Sequence, residues 1–237
     1  MGLSVYGESI EFPEPSPEPS PEASLEPSPS ASVNPDPIPS ATKRPPTPGV
    51  LPYLDTALSF EERAADLVSR MTLKEKAQQT GRTAPAISRL GVSSYDYWKE
   101  GIHGVARQGA ATSFPTSLAM SNTWDRELIR QTMDITGTEA RGKNARYNLS
   151  YWNPTINIGR DPRWGRNEES YGEDPFVTSE AAAQAILGMR GTDKKYLKVA
   201  PTLKHIAANN CEGERQTGSS VITEKTFREY YGRAFED

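Results

Sequence analysis

The sequence predicts an α/β protein in which helices cross over a parallel sheet, closed as a barrel or laid out as a doubly wound sheet. Three observations lead there. Segments with helical periodicity alternate with short apolar, β-branched segments and loops. About 190 residues of ordinary globular composition remain once a proline-rich stretch is set aside, enough for one hydrophobic core. Charged side chains gather where the predicted strands end, the usual place for functional groups in such folds.

Two units are expected, residues 1–50 and residues 51–237. Most of the prolines lie between Pro13 and Pro48 among serines and glutamates. Proline fixes φ and removes donors there at nearly every other position, which favours an extended spacer over helix or sheet. The expectation is a disordered Pro/Ser/Glu-rich linker, with a ligand for a proline-recognition module as the alternative because PxxP recurs without a fixed basic flank. Such linkers commonly join modules of extracellular enzymes, so an extracellular or cell-surface location is expected. No signal peptide is visible, because MGLSVYGESIEF lacks a basic start and a long apolar core.

Beyond the linker, Ser59 with Glu62 and Thr72 with Glu75 are capping boxes that start two successive helices. Phe60, Ala64, Leu67, Val68 and Met71 fall on one face of the first. Residues 95–123 are rich in glycine and small polar side chains and read as a strand end followed by a long loop. A helix follows from Asp125, with Leu128, Ile129, Thr132, Met133, Thr136 and Ala140 inward and basic residues near its negative end. Residues 151–158 form the next strand, broken by Gly159 so that Arg160 and Asp161 stand at its exit. A helix over 178–189 is stopped by Gly191, residues 198–206 form a strand disturbed by Pro201, and a polar loop leads to a last helix near Thr223.

The formal charge of -4 argues against nucleic acid or an anionic membrane as partner, since both require a basic face. No apolar run approaches the ~18 residues of a membrane span. The single Cys211 forms no internal disulfide and reads as a small packing group. The two histidines lie far apart without HExxH spacing, so no metal site is expected. There is no GxSxG elbow and no glycine-rich phosphate turn. The arginines of RDPRWGR could stack on bases, but EESYGED follows at once and cancels the charge.

What remains is a set of strand-end groups: Glu100 with His103, Arg160 with Asp161, and Lys204 with His205. A carboxylate, a guanidinium, an ammonium and an imidazole offer donors and acceptors to several hydroxyls at once, and nearby tryptophans and tyrosines offer faces to sugar C–H groups. This is the chemistry of a polyol site. Arg163 and Arg166 read differently, as a buried brace tied to Glu168, Glu169, Glu173 or Asp174.

GRDPRWGRNEESYGEDP, TLKHIAANN and EGIHGVARQGAATSFPTSLAMSNTWD together resemble the N-terminal barrel domain of glycoside hydrolase family 3, the β-glucosidases and β-xylosidases. The resemblance runs from about residue 51 onward. It implies the N-terminal portion of a (β/α)8 TIM-like barrel acting on β-linked oligosaccharides from the non-reducing end, with retention and without a cofactor. It further implies that Arg160, Lys204 and His205 bind hydroxyls of the terminal sugar and that Glu100 takes the place of the carboxylate gripping its far side. Many glucosidases of the family have aspartate there; the longer glutamate crowds the space of a hydroxymethyl group and favours a pentose. The loop IAANNCEGERQTGSS lacks the histidine of the N-acetylglucosaminidase subgroup. The nucleophile and the acid/base are expected after Asp237, in the remainder of the barrel and a second α/β domain, so this chain alone is expected to be inactive. The alternative is a non-catalytic carbohydrate-binding or interaction module tethered by the proline-rich arm.

Overall fold

The computed structural model describes residues 47–144 and 148–236. The predicted linker lies outside them, apart from residues 47–50. Both capping boxes form. Ser59 Oγ accepts from Glu62 N and Glu62 answers to Ser59 N, starting α1 (Phe60–Arg70); Thr72 and Glu75 do the same for α2 (Leu73–Gln79). The predicted apolar face of α1 is not buried: Phe60 is 69% exposed and Val68 47%. The helix rests instead on the turn at 52–54, where Arg63 Nε donates to the Tyr53 carbonyl and buried Tyr53 donates its hydroxyl to the Leu90 carbonyl.

β1 (Thr83–Ala84) and β2 (Tyr95–Asp96) pair antiparallel. Then α3 (Ser117–Ser121) leads into α4 (Arg126–Asn144), which Asp125 caps by accepting from Leu128 N at 2.9 Å. Its inner face is largely the predicted one. Ile129, Thr132, Met133, Thr136 and Ala140 are buried, while Leu128 is not.

The core lies where α4 meets α5 (Pro175–Arg190). Asp174 caps α5 and Pro175 supplies a preset φ, so the helix starts three residues before the prediction. The two helices approach closely because both carry glycine at the crossing. A Cβ on Gly188 would lie 2.3 Å from the Arg130 carbonyl oxygen, and one on Gly137 would lie 2.8 Å from that of Met189. Met133, Ala185 and Met189 fill the contact under Tyr151, Ile156 and Val199.

α5 connects two parallel strands, β3 (Ser150–Tyr151) and β4 (Ala200–Pro201). Both are far shorter than predicted, because Pro154 and Pro201 have no N–H to give the ladder. The two segments nevertheless stay parallel to a further bridge between Thr155 and Lys204, with the register shifted by one residue from the pairing of Ser150 with Ala200 and Tyr151 with Pro201. On the other side of β3, Trp152 N donates to the Lys99 carbonyl at 2.7 Å. Three chain segments therefore run side by side and end together. The polar loop 207–220 follows, then α6 (Glu224–Thr226) capped by Thr223, a π-helical turn at Phe227–Tyr231, and α7 (Arg233–Glu236). The result is a helical fold with small sheets.

Candidate functional site

The three side-by-side segments carry Glu100, Asn157 and Lys204–His205 to one end. Lys204 is fixed by its own backbone: its N–H donates to the Pro154 carbonyl at 3.1 Å and its carbonyl accepts from Ile156 N at 2.8 Å. That register places its ammonium 3.8 Å from Glu100 Oε1, with the lysine side chain 11% exposed. Burial pushes the Lys204 ammonium below its usual range, while Glu100 and Glu169 pull it back. Glu100 is itself held by the Trp98 indole N–H at 3.0 Å and faces Arg107 Nε at 3.6 Å.

His205 is gripped by Asn157. The buried Asn157 Oδ1 accepts from His205 N at 2.8 Å and lies 2.9 Å from Nδ1, while Asn157 Nδ2 donates to the His205 carbonyl. Burial, then the nearby positive charges of Arg166 and Lys204, push the imidazole down to about 4, so it is neutral at pH 7. Beside it Arg166 forms a two-pronged pair with Glu169, Nε and Nη2 each 2.7 Å from a carboxylate oxygen. Its third nitrogen lies 3.4 Å from His205 Nε2 and 3.6 Å from Glu212 Oε1. Burial opposes ionisation of Glu169, yet Arg166, Lys204 and Thr155 together hold its carboxyl below the usual range. At neutral pH Glu169 is an acceptor and has no proton to donate.

Glu100, Arg107, Arg166, Glu169, Lys204 and His205 line an open cleft of about 1170 Å³ together with Trp98, Trp152 and Glu212. The two indole rings lie 6.2 Å apart, and the Arg107 guanidinium covers Trp98 at 4.5 Å. Cations matched to carboxylates, a neutral imidazole and apolar ring faces suit a ligand with several hydroxyls and no charge. Among the described residues no cluster of His, Cys, Asp or Glu could hold a metal ion.

Glu100, Lys204 and His205 are thus brought together, and Arg160 is not. Its Nη1 donates to the Tyr231 hydroxyl at 2.7 Å and its guanidinium sits 5.2 Å over that ring, against the π-helical turn and away from the cleft lining. Asp161 turns back on Arg163, which holds its carboxyl far below the usual range. His103 is exposed and borders a separate cavity of about 510 Å³ beyond Glu100 and Glu169. Cys211 is exposed on the cleft wall and is no packing group. Of the expected brace, Arg166 pairs with Glu169, while Arg163 lies in solvent with its side chain 89% exposed. Sequence reasoning missed Arg166 and Glu212 as cleft residues, and Asn157 as the buried side chain behind His205. The motif repeats Gly-Arg at 159–160 and 165–166, and the signal for Arg166 was that second pair.

The sequence signature of the glycosyl hydrolase family 3 N-terminal domain matches residues 60–237. The chain belongs to this family. Among family 3 relatives, the xylan 1,4-β-xylosidase of Xylanibacter ruminicola is 39% identical over 204 residues, covering 78% of this chain and 23% of that protein. The exo-1,4-β-xylosidase bxlB of Emericella nidulans is 40% identical over 175 residues, covering 68% of this chain and 23% of its own. Of solved structures, the exo-β-xylosidase XlnD in complex with a xylobiose aziridine probe superposes with a TM-score of 0.73 at 35% identity, covering 78% of this chain and 26% of that one. DesR, a β-glucosidase from Streptomyces venezuelae in complex with D-glucose, superposes with a TM-score of 0.63 at 32% identity, covering 73% of this chain and 23% of that one. The chain spans about a quarter of the length of these relatives.

Proposed function

We propose that this chain is the sugar-gripping part of a retaining exo-β-glycosidase built on a (β/α)8 barrel, acting on the non-reducing terminal sugar of β-linked oligosaccharides, with xylose favoured over glucose. The carrying observation is the convergence of Glu100, Lys204, His205 and Arg166 beside Trp98 and Trp152 in one cleft. Arg166 takes the guanidinium role expected of Arg160. Glu169 and Glu100 face cations, which suits them to hydroxyls and not to bond cleavage; retention needs two carboxyl groups about 5–5.5 Å apart, one nucleophile and one acid/base, and these come from outside residues 51–237. The preference for xylose draws support from the xylosidases among the relatives and from the length of the Glu100 side chain.

Xylose titrated to high concentration is expected to move the imidazole resonances of His205 and not those of His103. Calorimetry is expected to show no tight, saturable heat, and aryl β-xylosides no turnover. An unmoved His205 would overturn the reading, and so would turnover that Lys204→Ala leaves untouched. Tight sugar binding that survives Lys204→Ala would favour a free-standing carbohydrate-binding module instead.

A further inference from the structure

Asn157 does not line the open cleft, yet both polar atoms of its side chain are spent on one residue of it. It is 3% exposed. Its Nδ2 donates to the His205 carbonyl at 2.9 Å, which fixes which end of the amide is oxygen, and the oxygen then accepts from His205 N at 2.8 Å. The same oxygen lies 2.9 Å from His205 Nδ1. An amide oxygen can only accept, so a hydrogen bond there requires the proton on Nδ1. Neutral imidazole carries one ring proton, which leaves Nε2 bare. The Arg166 guanidinium, 3.4 Å from Nε2, can only donate and agrees with that assignment.

We propose that Asn157 is a positioning residue that locks His205 in the Nδ1–H tautomer, so that Nε2 faces the cleft solely as a hydrogen-bond acceptor. The inference rests on the cleft being a sugar site, and it deepens that reading. A sugar hydroxyl that displaced the long Arg166 contact at 3.4 Å would donate to His205 Nε2 while accepting from the Lys204 ammonium, the two roles a hydroxyl can fill at once. The charged groups around the ring are Arg166, Lys204, Glu169 and Glu212. The cations oppose a proton on Nε2, and with Nδ1–H bound to Asn157 they leave the acceptor form in place.

The test is a long-range ¹⁵N–¹H correlation on the full chain without sugar, with His103→Gln assigning the second imidazole. At pH 7 His205 is expected to show protonated Nδ1 and bare Nε2. An Nε2–H form, or a fast-averaged mixture of both, overturns the proposal. Asn157→Asp keeps an acceptor at Nδ1 but adds a negative charge and loses the donor to the His205 carbonyl. It is expected to raise the His205 pKa by about one to three units, and an unmoved titration counts against the proposal. Should that variant fail to fold, the wild-type tautomer alone decides. Because no sugar is present, a lost xylose response with the tautomer intact would refute the sugar site and leave the role of Asn157 standing.

Discussion

The neutral His205 makes the chain acid-sensitive in a definite window. The imidazole has its ordinary value near 6.5 when unfolded and about 4 when folded, lowered chiefly by burial and then by Arg166 and Lys204. Between those two values the unfolded chain binds the proton and the folded chain does not, so stability falls as pH drops from about 6.5 towards about 4. A difference of about 2.5 units at ~1.36 kcal/mol each would be about 3.4 kcal/mol. The ring is only partly buried and water screens it, so about 1–2 kcal/mol is the expected loss. Carboxylates titrate over the lower half of the same range, which makes subtraction necessary. Urea denaturation at several pH values between 4 and 7 is compared for the wild type and His205→Gln, and the variant should show a flatter slope from pH 6.5 downward. Equal slopes would refute the buried, neutral imidazole.

Further outcomes follow from the helix crossing and the cleft. Gly188→Ala puts a Cβ 2.3 Å from the Arg130 carbonyl oxygen; overpacking of about 1–3 kcal/mol outweighs the ~1 kcal/mol that alanine brings to a helix, so a lower urea midpoint is expected. Gly142→Ala on α4 meets no atom within 4 Å and should raise the midpoint, by about 0.5–1 kcal/mol. Arg166→Lys keeps the charge but loses the fork on Glu169, with an expected loss of about 1.5 kcal/mol or more by the same denaturation assay. Trp98→Phe keeps a ring under Arg107 and removes the donor to Glu100; a weakened xylose shift at His205 would show that the indole N–H orients that carboxylate.

Signals in the sequence are legible where the physics is local. A capping box needs only residues three apart, and both boxes formed as spelled; α4 announced itself through its periodic inner face. The strands are shorter than their composition suggests, because the β-branched Thr155, Ile156, Ile158 and Val199 promise a ladder that Pro154 and Pro201 cannot supply. The apolar stripe of α1 was legible as a stripe, but whether a stripe finds a cover depends on tertiary partners that no window of sequence contains. At the site, Glu100, Lys204 and His205 were legible because strand ends converge in any parallel sheet. Arg160 and Arg166 could not be told apart by type or by flanking glycine; which one reaches the cleft depends on how the 161–169 turn folds back, with Asn167 Nδ2 donating to the Asp161 carbonyl at 2.7 Å.

Each cation lining the cleft faces a carboxylate: Lys204 and Arg107 meet Glu100, Arg166 meets Glu169 and Glu212, and Arg215 meets Glu212. The floor is therefore strongly polar and nearly free of net field. Such a surface does not draw ligands from a distance, and it gains nothing from displaced counterions. Capture of a neutral sugar should then be almost indifferent to ionic strength, while a phosphorylated or uronic acid counterpart would meet carboxylates already satisfied and find no spare positive charge to neutralise it.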